Sequence, residues 1–314
     1  MTEARGEVYD LGYQRYDGPR EGRARARRAI FENGVRTVLG LGRGPRAKIM
    51  PVLLFVGAMA PAFVFVIILS VAGPLAGFLP GPADYYQVVS IIMILFAAIM
   101  APELLCPDRR DNVIHLYLVR PLTPTDYVLG RFLAFFVIVL VLAYSGQIVL
   151  QLGLVLTASN PMDYLRDNWL DIPRFLVAGV LFAAFIAVVP LAVAALTTRR
   201  AVAAAFVIGL FLITSAVAGG LTEDAHCHDE EGALAPCTPG EGGAVTGDAA
   251  KWFALISFGD VPIRVNDMIF DRENESATAR AAAELPDVIP IGVYLLFTIG
   301  SGFVLWWRYQ RIRV

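Results

Sequence analysis

Polar and apolar positions are sharply segregated along this chain. Six stretches contain no Asp, Glu, Lys, Arg or His: 49–83, 85–102, 132–162, 175–198, 201–222 and 288–307. A helix rises about 1.5 Å per residue and a bilayer's hydrocarbon layer is about 30 Å thick, so about 20 apolar residues cross it. The pattern predicts an all-α polytopic membrane protein with six transmembrane helices, the longer stretches including interfacial turns. Before the first span, residues 30–41 have helical periodicity. Ile30, Phe31, Gly34, Val35, Val38, Leu39 and Leu41 fall on one half, and Glu32, Asn33, Arg36 and Thr37 on the other. Arg23, Arg25, Arg27 and Arg28 precede this segment and Arg43, Arg46 and Lys48 follow it, which suits an amphipathic helix lying flat among anionic headgroups. It serves as a topogenic anchor or as an element that also transmits motion into the first span. Two domains follow: a tail with its interfacial helix at 1–48, and a six-span domain at 49–314 without internal repeats.

The connection between the second and third spans, 103–131, is too ordered for a linker. Asp108 is placed to cap a short helix running through Val119, with Val113, Leu116 and Tyr117 on one face, and Pro121 ends it. Thr123, Pro124 and Asp126 then read as a capping box opening the third span, with proline at the first helical position. The product is a short helix across the membrane surface, held between proline-marked turns.

Composition supports the membrane reading: hydrophobic residues make up 57% and charged residues 17%, against about a quarter charged in soluble domains, and the mean hydropathy is +0.61. The net charge of −2 conceals an asymmetry. Of the 26 Lys and Arg, 20 lie in the tail, the second–third connection, the fourth–fifth turn (Arg199, Arg200) and the C-terminus. By the bias of basic residues toward the cytoplasm, both termini are expected inside a plasma membrane. The long acidic loop 223–287 before the sixth span is then extracytoplasmic. About fifty mostly polar residues precede the first apolar stretch, so that stretch is expected to be a permanent helix rather than a secretory signal.

The uncharged spans exclude the ionisable relays through which ion-driven pumps work. Work on a substrate must draw energy from elsewhere, or transport is passive. The chain has no Gly-x-x-x-x-Gly-Lys-Ser/Thr phosphate loop; Gly40, Gly42 and Gly44 lack its lysine and its preceding strand. An intramembrane enzyme is disfavoured, because no Ser/Lys, paired Asp or His-x-x-x-His arrangement lies in the spans. Glu103, at an apolar boundary, pairs with Arg109 or Arg110 or acts as a gate or coupling contact. Tyr144, Gln147 and Gln151 share a face of the third span, suited to helix packing or to lining a pathway. Trp306, Trp307, Arg308 and Arg311 anchor the sixth span at its inner end.

The tail YDLGYQRYDGPREGR, the Pro102-Glu103 pair and the segment RRDNVIHLYLVRPLTPTDYVLGR resemble the actinobacterial branch of the six-span permease subunits of type-2 ABC exporters. Many such permeases have Gly-Thr where Asn112-Val113 stand here. The resemblance implies a connecting helix in the tail and a coupling helix between spans two and three. On that reading Asp108, Arg109, Arg110, Val113, Leu116, Tyr117 and Arg120 dock a separate cytoplasmic ATPase. ATP and Mg belong to that partner, and this chain carries no cofactor. A second permease protomer, identical or sister, completes the pathway within the lipid bilayer, and nucleic acid is not a partner. The competing class is a non-transporting membrane component that couples ATP hydrolysis to maturation or release of an extracytoplasmic partner or metal.

Cys227 and Cys237 stand ten positions apart in the acidic loop, and an oxidising compartment favours their pairing. His226, Cys227, His228 and Cys237 could instead offer imidazoles and thiolates to a soft metal, although the spacing matches no standard zinc arrangement. Trp252, Phe253, Leu255, Ile256 and Phe258 suit an interfacial helix returning the chain to the outer leaflet, and 273–285 a polar surface helix. Pairing should close a short ring that stabilises the loop by about 2–3 kcal/mol. Mass spectrometry of nonreduced peptides from native membranes should show the Cys227–Cys237 link; two free thiols would refute it.

Overall fold

The computed structural model describes residues 22–42, 44–71, 81–118, 122–158, 160–222, 226–228, 234–236, 248–272 and 276–311. The fold is all-helical: α1 (Arg23–Val38), α2 (Pro45–Val71), α3 (Tyr85–Arg110), α4 (Ile114–Leu118), α5 (Pro124–Thr157), α6 (Pro161–Asp167), α7 (Asp171–Leu196), α8 (Arg200–Thr222), α9 (Asp248–Ala254), α10 (Asp260–Phe270), α11 (Ala277–Ala283) and α12 (Val288–Gln310). Six of these, α2, α3, α5, α7, α8 and α12, are long and apolar enough to cross a membrane. One short antiparallel pair, β1 (His226–His228) and β2 (Leu234–Pro236), sets Cys227 opposite Ala235. Cys237 lies outside the described residues, as do the side chains of His226, Cys227 and His228, so the disulfide and metal readings fall there too.

Helix α1 and the end of α12 both meet the start of α5, at what is here called the terminal end, while α10 lies beside the start of α3 at the opposite, loop end. Span α7 is the centre, packing on α3, α5, α8, α10 and α12. Its most apolar window is 67% buried, against 11% for α2, 22% for α8 and 17% for α12, which form the rim. Small residues make this possible, because helices surrounded by apolar tails associate through close backbone approach and polar ties. Ala178, Gly179, Ala183, Ala187, Ala194 and Ala195 are all buried along α7.

Tyrosines supply the ties. The Tyr85 hydroxyl donates to the Ala58 carbonyl of α2 at 3.0 Å, and Tyr86 to the Phe175 carbonyl of α7 at 3.1 Å. Tyr144 donates to Leu176 at 2.6 Å and Tyr294 to Leu181 at 2.8 Å. Each hydroxyl is satisfied by a helix carbonyl where no water would serve. The rings need room, which glycines provide: a Cβ on Gly146 would collide with the Tyr85 ring and hydroxyl, and one on Gly179 with Tyr144 and Tyr86.

At the loop end α10 lies over α3, α7 and α12. The sequence pattern did not anticipate this helix, although Val261, Val265 and Ile269 mark its apolar face at helical spacing. The Asn266 amide donates to the Ala83 carbonyl at 2.8 Å, and Arg272 pairs with Asp84 and approaches the fully buried Asp267 at 3.9 Å. Burial pushes the Asp260 carboxyl up, against a hydrogen bond from Ser257. Ala254, Leu255, Ala282 and Leu285 bring α9 and α11 together; α9 ends at Ala254, so Leu255, Ile256 and Phe258 of the expected interfacial helix lie past it, and α11 covers 277–283 of the expected 273–285.

Because overpacking a filled interior costs about 1–3 kcal/mol, Gly146→Val should lower the thermal midpoint of the detergent-solubilised protein. Gly292→Ala, whose new methyl meets nothing within 4 Å, should leave it unchanged or raise it. Equal midpoints for the two variants would contradict the Gly146–Tyr85 packing.

Candidate functional site

The candidate site is built at the terminal end, where the second span runs further than its prolines suggest. Pro102 and Pro107 both lie inside α3, which continues to Arg110. Neighbouring helices accommodate the missing donors, a common outcome in membrane bundles. The Pro102-Glu103 pair therefore does not close the span. Asp108 does not open a short helix either: it sits in the last turns of α3, and the short helix α4 is confined to Ile114–Leu118. The turn between them passes through Asn112 at φ 53°, a left-handed conformation that Asn and Gly adopt readily. The Gly-Thr seen at this place in the resembling permeases would satisfy the same turn.

Asp108 instead faces inward. Its Oδ2 accepts the Tyr127 hydroxyl at 2.7 Å and a guanidinium N–H of Arg131. The Arg131 side chain is 4% exposed and that of Asp108 16%, so this is a largely buried ion pair. A second Arg131 nitrogen donates to Asn33 of α1 at 3.0 Å, and the guanidinium lies 5.4 Å from the centre of the Tyr127 ring. Tyr127 stacks at 5.8 Å on Tyr117 of α4 and at 5.3 Å on Tyr309 of α12. Three side chains, Asp108, Tyr127 and Arg131, thus join α1, α3, α4, α5 and α12.

A second carboxylate lies nearby. Thr123 and Asp126 form the anticipated capping box: the Asp126 amide reaches the Thr123 hydroxyl oxygen at 3.3 Å, and the Thr123 amide reaches Asp126 Oδ2 at 3.0 Å. The same carboxylate receives Arg23 Nε at 2.8 Å and Arg27 Nε at 2.7 Å. Two of the tail arginines expected among lipid headgroups are therefore held by protein. The apolar face of α1 also packs inward, with Ile30, Gly34 and Val38 buried, whereas Leu39 and Leu41 lie past the helix end and are exposed. Thr125 Oγ1 accepts Gln310 at 2.9 Å and the Trp306 indole at 3.3 Å, fixing the anticipated inner anchor of α12 to the start of α5.

Glu103 pairs with Arg200 of the α7–α8 turn. Arg109 is occupied elsewhere: it donates to the Ala195 carbonyl and, at 3.3 Å, to that of Thr197, satisfying carbonyls freed where α7 ends. The buried Cys106 thiol lies against the same turn, 3.6 Å from the Thr197 carbonyl. Of the expected docking residues, Arg110 is exposed, Val113 half-buried, and Tyr117 turned into the aromatic stack. Asp111, Asn112 and His115 are exposed beside Arg110. A hydrogen bond from Arg110 holds the Asp111 carboxyl below the usual carboxylate range. Arg120 and the Leu116 side chain lie outside the described residues.

The three polar residues of the third span are not grouped at this end. Tyr144 is tied to α7, and Gln147 is fully buried, donating to the Pro82 carbonyl at 2.9 Å. The Gln151 amide nitrogen is buried without a hydrogen-bond partner among the described residues. Sequence reasoning missed Arg131, Tyr127 and Tyr309. The available signal was a lone arginine seven residues into a helix that carries no charge after it, since such a charge must find a partner.

Removing one member of a buried ion pair costs about 3–5 kcal/mol, while replacing both by apolar residues is often tolerated. Arg131→Met should therefore lower the thermal midpoint in detergent strongly, and Asp108→Leu with Arg131→Met should recover most of the loss. A single variant as stable as wild type would remove the pair from its structural role.

Among the residues exposed at this end are Arg110, Asp111 and Asn112 of the turn and His115 of α4, backed by a polar and aromatic knot that reaches four longer helices. Residues 66–307, well over half of the chain, match the family described as ABC-2 family transporter protein. No curated protein matches the chain. That family implies a separate ABC ATPase as partner. Six candidate spans and this match agree in one assignment, and the chain belongs to the ABC-2 transporter family as a multi-pass membrane permease.

Proposed function

We propose that this chain is the permease subunit of an ABC exporter, with the terminal end facing the cytoplasm and docking the ATPase through residues 110–118. The observation that carries this reading is the exposed group Arg110, Asp111, Asn112 and His115, set directly on the buried knot of Asp108, Tyr127 and Arg131. Charge supports the orientation, because 20 of 26 basic residues fall in the sequence before the first span, between the second and third and the fourth and fifth, and after the sixth. ATP and Mg are held by the partner in this scheme. Asp108 and Arg109 also make contacts within the protomer, Asp108 with Tyr127 and Arg131 and Arg109 with the Ala195 and Thr197 carbonyls.

The protomer pairs with a second permease, identical or sister, in the plasma membrane. Spans α2, α8 and α12 leave most of their surface uncovered, and the described core holds few polar groups that could line a route within one bundle. Gln151, whose buried amide nitrogen has no partner among the described residues, and Gln147, whose amide oxygen likewise has none, are the pathway candidates, whereas Tyr144 is engaged in a helix contact.

With the ATPase co-expressed and the pair reconstituted in lipid, Arg110→Glu combined with His115→Glu should reduce both complex recovery and permease-stimulated ATP hydrolysis by about tenfold, the scale of a 1–2 kcal/mol interface loss. Wild-type levels of both would refute docking at this turn. ATP-dependent transport by inverted vesicles would separate the exporter from a non-transporting component that uses the same docking.

A further inference from the structure

Helix α1 is joined by the chain to α2 but is packed on α5 and α3. Its contact with α5 is reciprocal. A Cβ on Gly34 of α1 would sit 2.6 Å from Ala134 Cβ, and a Cβ on Gly130 of α5 would sit 2.8 Å from Ile30 Cγ2. Each helix thus lodges a side chain in the other's glycine notch, the closest packing available to two helices. Polar ties extend the contact along α1: Arg23 and Arg27 to Asp126, and Asn33 to Arg131. From Arg23 to Gly34 these attachments cover about 16 Å of helix at 1.5 Å per residue.

The covalent path is built differently. After Leu39 caps α1, Gly40 and Gly42 both take left-handed conformations, φ 66° and 81°, and the Leu41 amide folds back to the Arg36 carbonyl at 2.8 Å. The helix is thereby stopped before α2 begins at Pro45, with Gly44 between. Two helices separated by a glycine-rich break do not transmit torque as a continuous helix does. Span α2 itself packs along α5, where Val66 fills the space beside Gly153, so it follows α5 through side-chain contact.

We propose that α1 and α5 form one rigid lever, through which force from the docked segment 110–118, passed to α5 and α1 by the Asp108–Arg131–Asn33 ties, enters the membrane by way of the third span rather than along the chain from α1 into the first. Asp126 and Gly130 are positioning residues in this scheme, holding α1 in register on α5. The inference rests on the ATPase-coupled reading above and specifies the route of that coupling.

The test uses the full-length permease with its ATPase in lipid vesicles, reading permease-stimulated ATP hydrolysis and complex recovery. Insertion of Gly-Ser-Gly-Ser after Gly42 interrupts only the covalent route and should leave stimulation within about twofold of wild type. Gly130→Leu and the isosteric Asp126→Asn disturb only the lateral route. Each should lower stimulation by about tenfold, within the usual range of coupling effects, while complex recovery persists, which a merely structural loss would not spare. Ile30→Cys with Gly130→Cys places two Cβ atoms 3.2 Å apart, close to disulfide geometry. Oxidation should then retain stimulation, because the joined helices do not move relative to each other. A stimulated wild type whose insertion variant is silent, or whose oxidised cysteine pair is silent, overturns the lever alone. A wild-type pair showing no stimulation overturns the ATPase reading and the lever together.

Discussion

A guanidinium buried at the end of an apolar bundle must be paired, and the partners of Arg131 fix how the terminal end is assembled. Taking such a charge from water costs several kcal/mol unless a counter-ion and hydrogen bonds replace the hydration. Asp108 supplies the counter-ion from α3, and Asn33 an amide oxygen from α1. The Tyr127 hydroxyl occupies the same carboxylate oxygen. These demands set the register of α3 against α5 and the seat of α1 on both. They also explain why α3 runs through two prolines, because a helix ending at Pro102 would leave Asp108 on a surface loop and Arg131 alone.

Between this knot and the Asp84–Arg272–Asp267 cluster at the loop end, the cohesion of the described bundle rests on shape. Apolar side chains gain little by leaving lipid for one another, so close approach and hydrogen bonds to helix carbonyls decide which helices meet. The Gly146–Tyr85 and Gly179–Tyr86 arrangements do both at once, with glycine admitting a ring whose hydroxyl bonds the next helix. Such contacts concentrate on α3, α5 and α7. The rim spans carry fewer of them and keep large apolar side chains outward, including Phe63 on α2, Phe206 on α8 and Phe303 on α12.

The six spans were legible because charge is simply absent from them, and the Thr123–Asp126 box was legible because capping is a local matter of four residues. Glu103 shows where legibility ended. Its sequence neighbours Arg109 and Arg110 were the natural partners, yet the α7–α8 turn brings in Arg200, which is far away in sequence. The same holds for Asp108: local rules favour an acid as a helix cap, and a tertiary partner overrode them. The arginines of α1 looked like lipid ligands because their basic, amphipathic pattern is common to membrane-surface helices, and nothing local to 22–42 reveals Asp126 about a hundred positions later. Helix α10 was hidden in a loop whose acidity drew attention to its charges instead of its apolar spacing.

Stiffness is therefore distributed unevenly, and in a useful order. The terminal end is a polar knot whose members come from five helices, so a displacement of any one is felt by the others. The middle is a close-packed block of three spans. The rim is held mostly by apolar contact, which resists sliding less than directional bonds do. A push arriving at the knot consequently meets a body that moves as a whole before it deforms, and the compliant surface lies at the periphery, where a neighbour in the membrane would stand. On the proposed docking reading, that order would carry a small movement at residues 110–118 into the contact between two protomers without an ionisable relay in the apolar stretches.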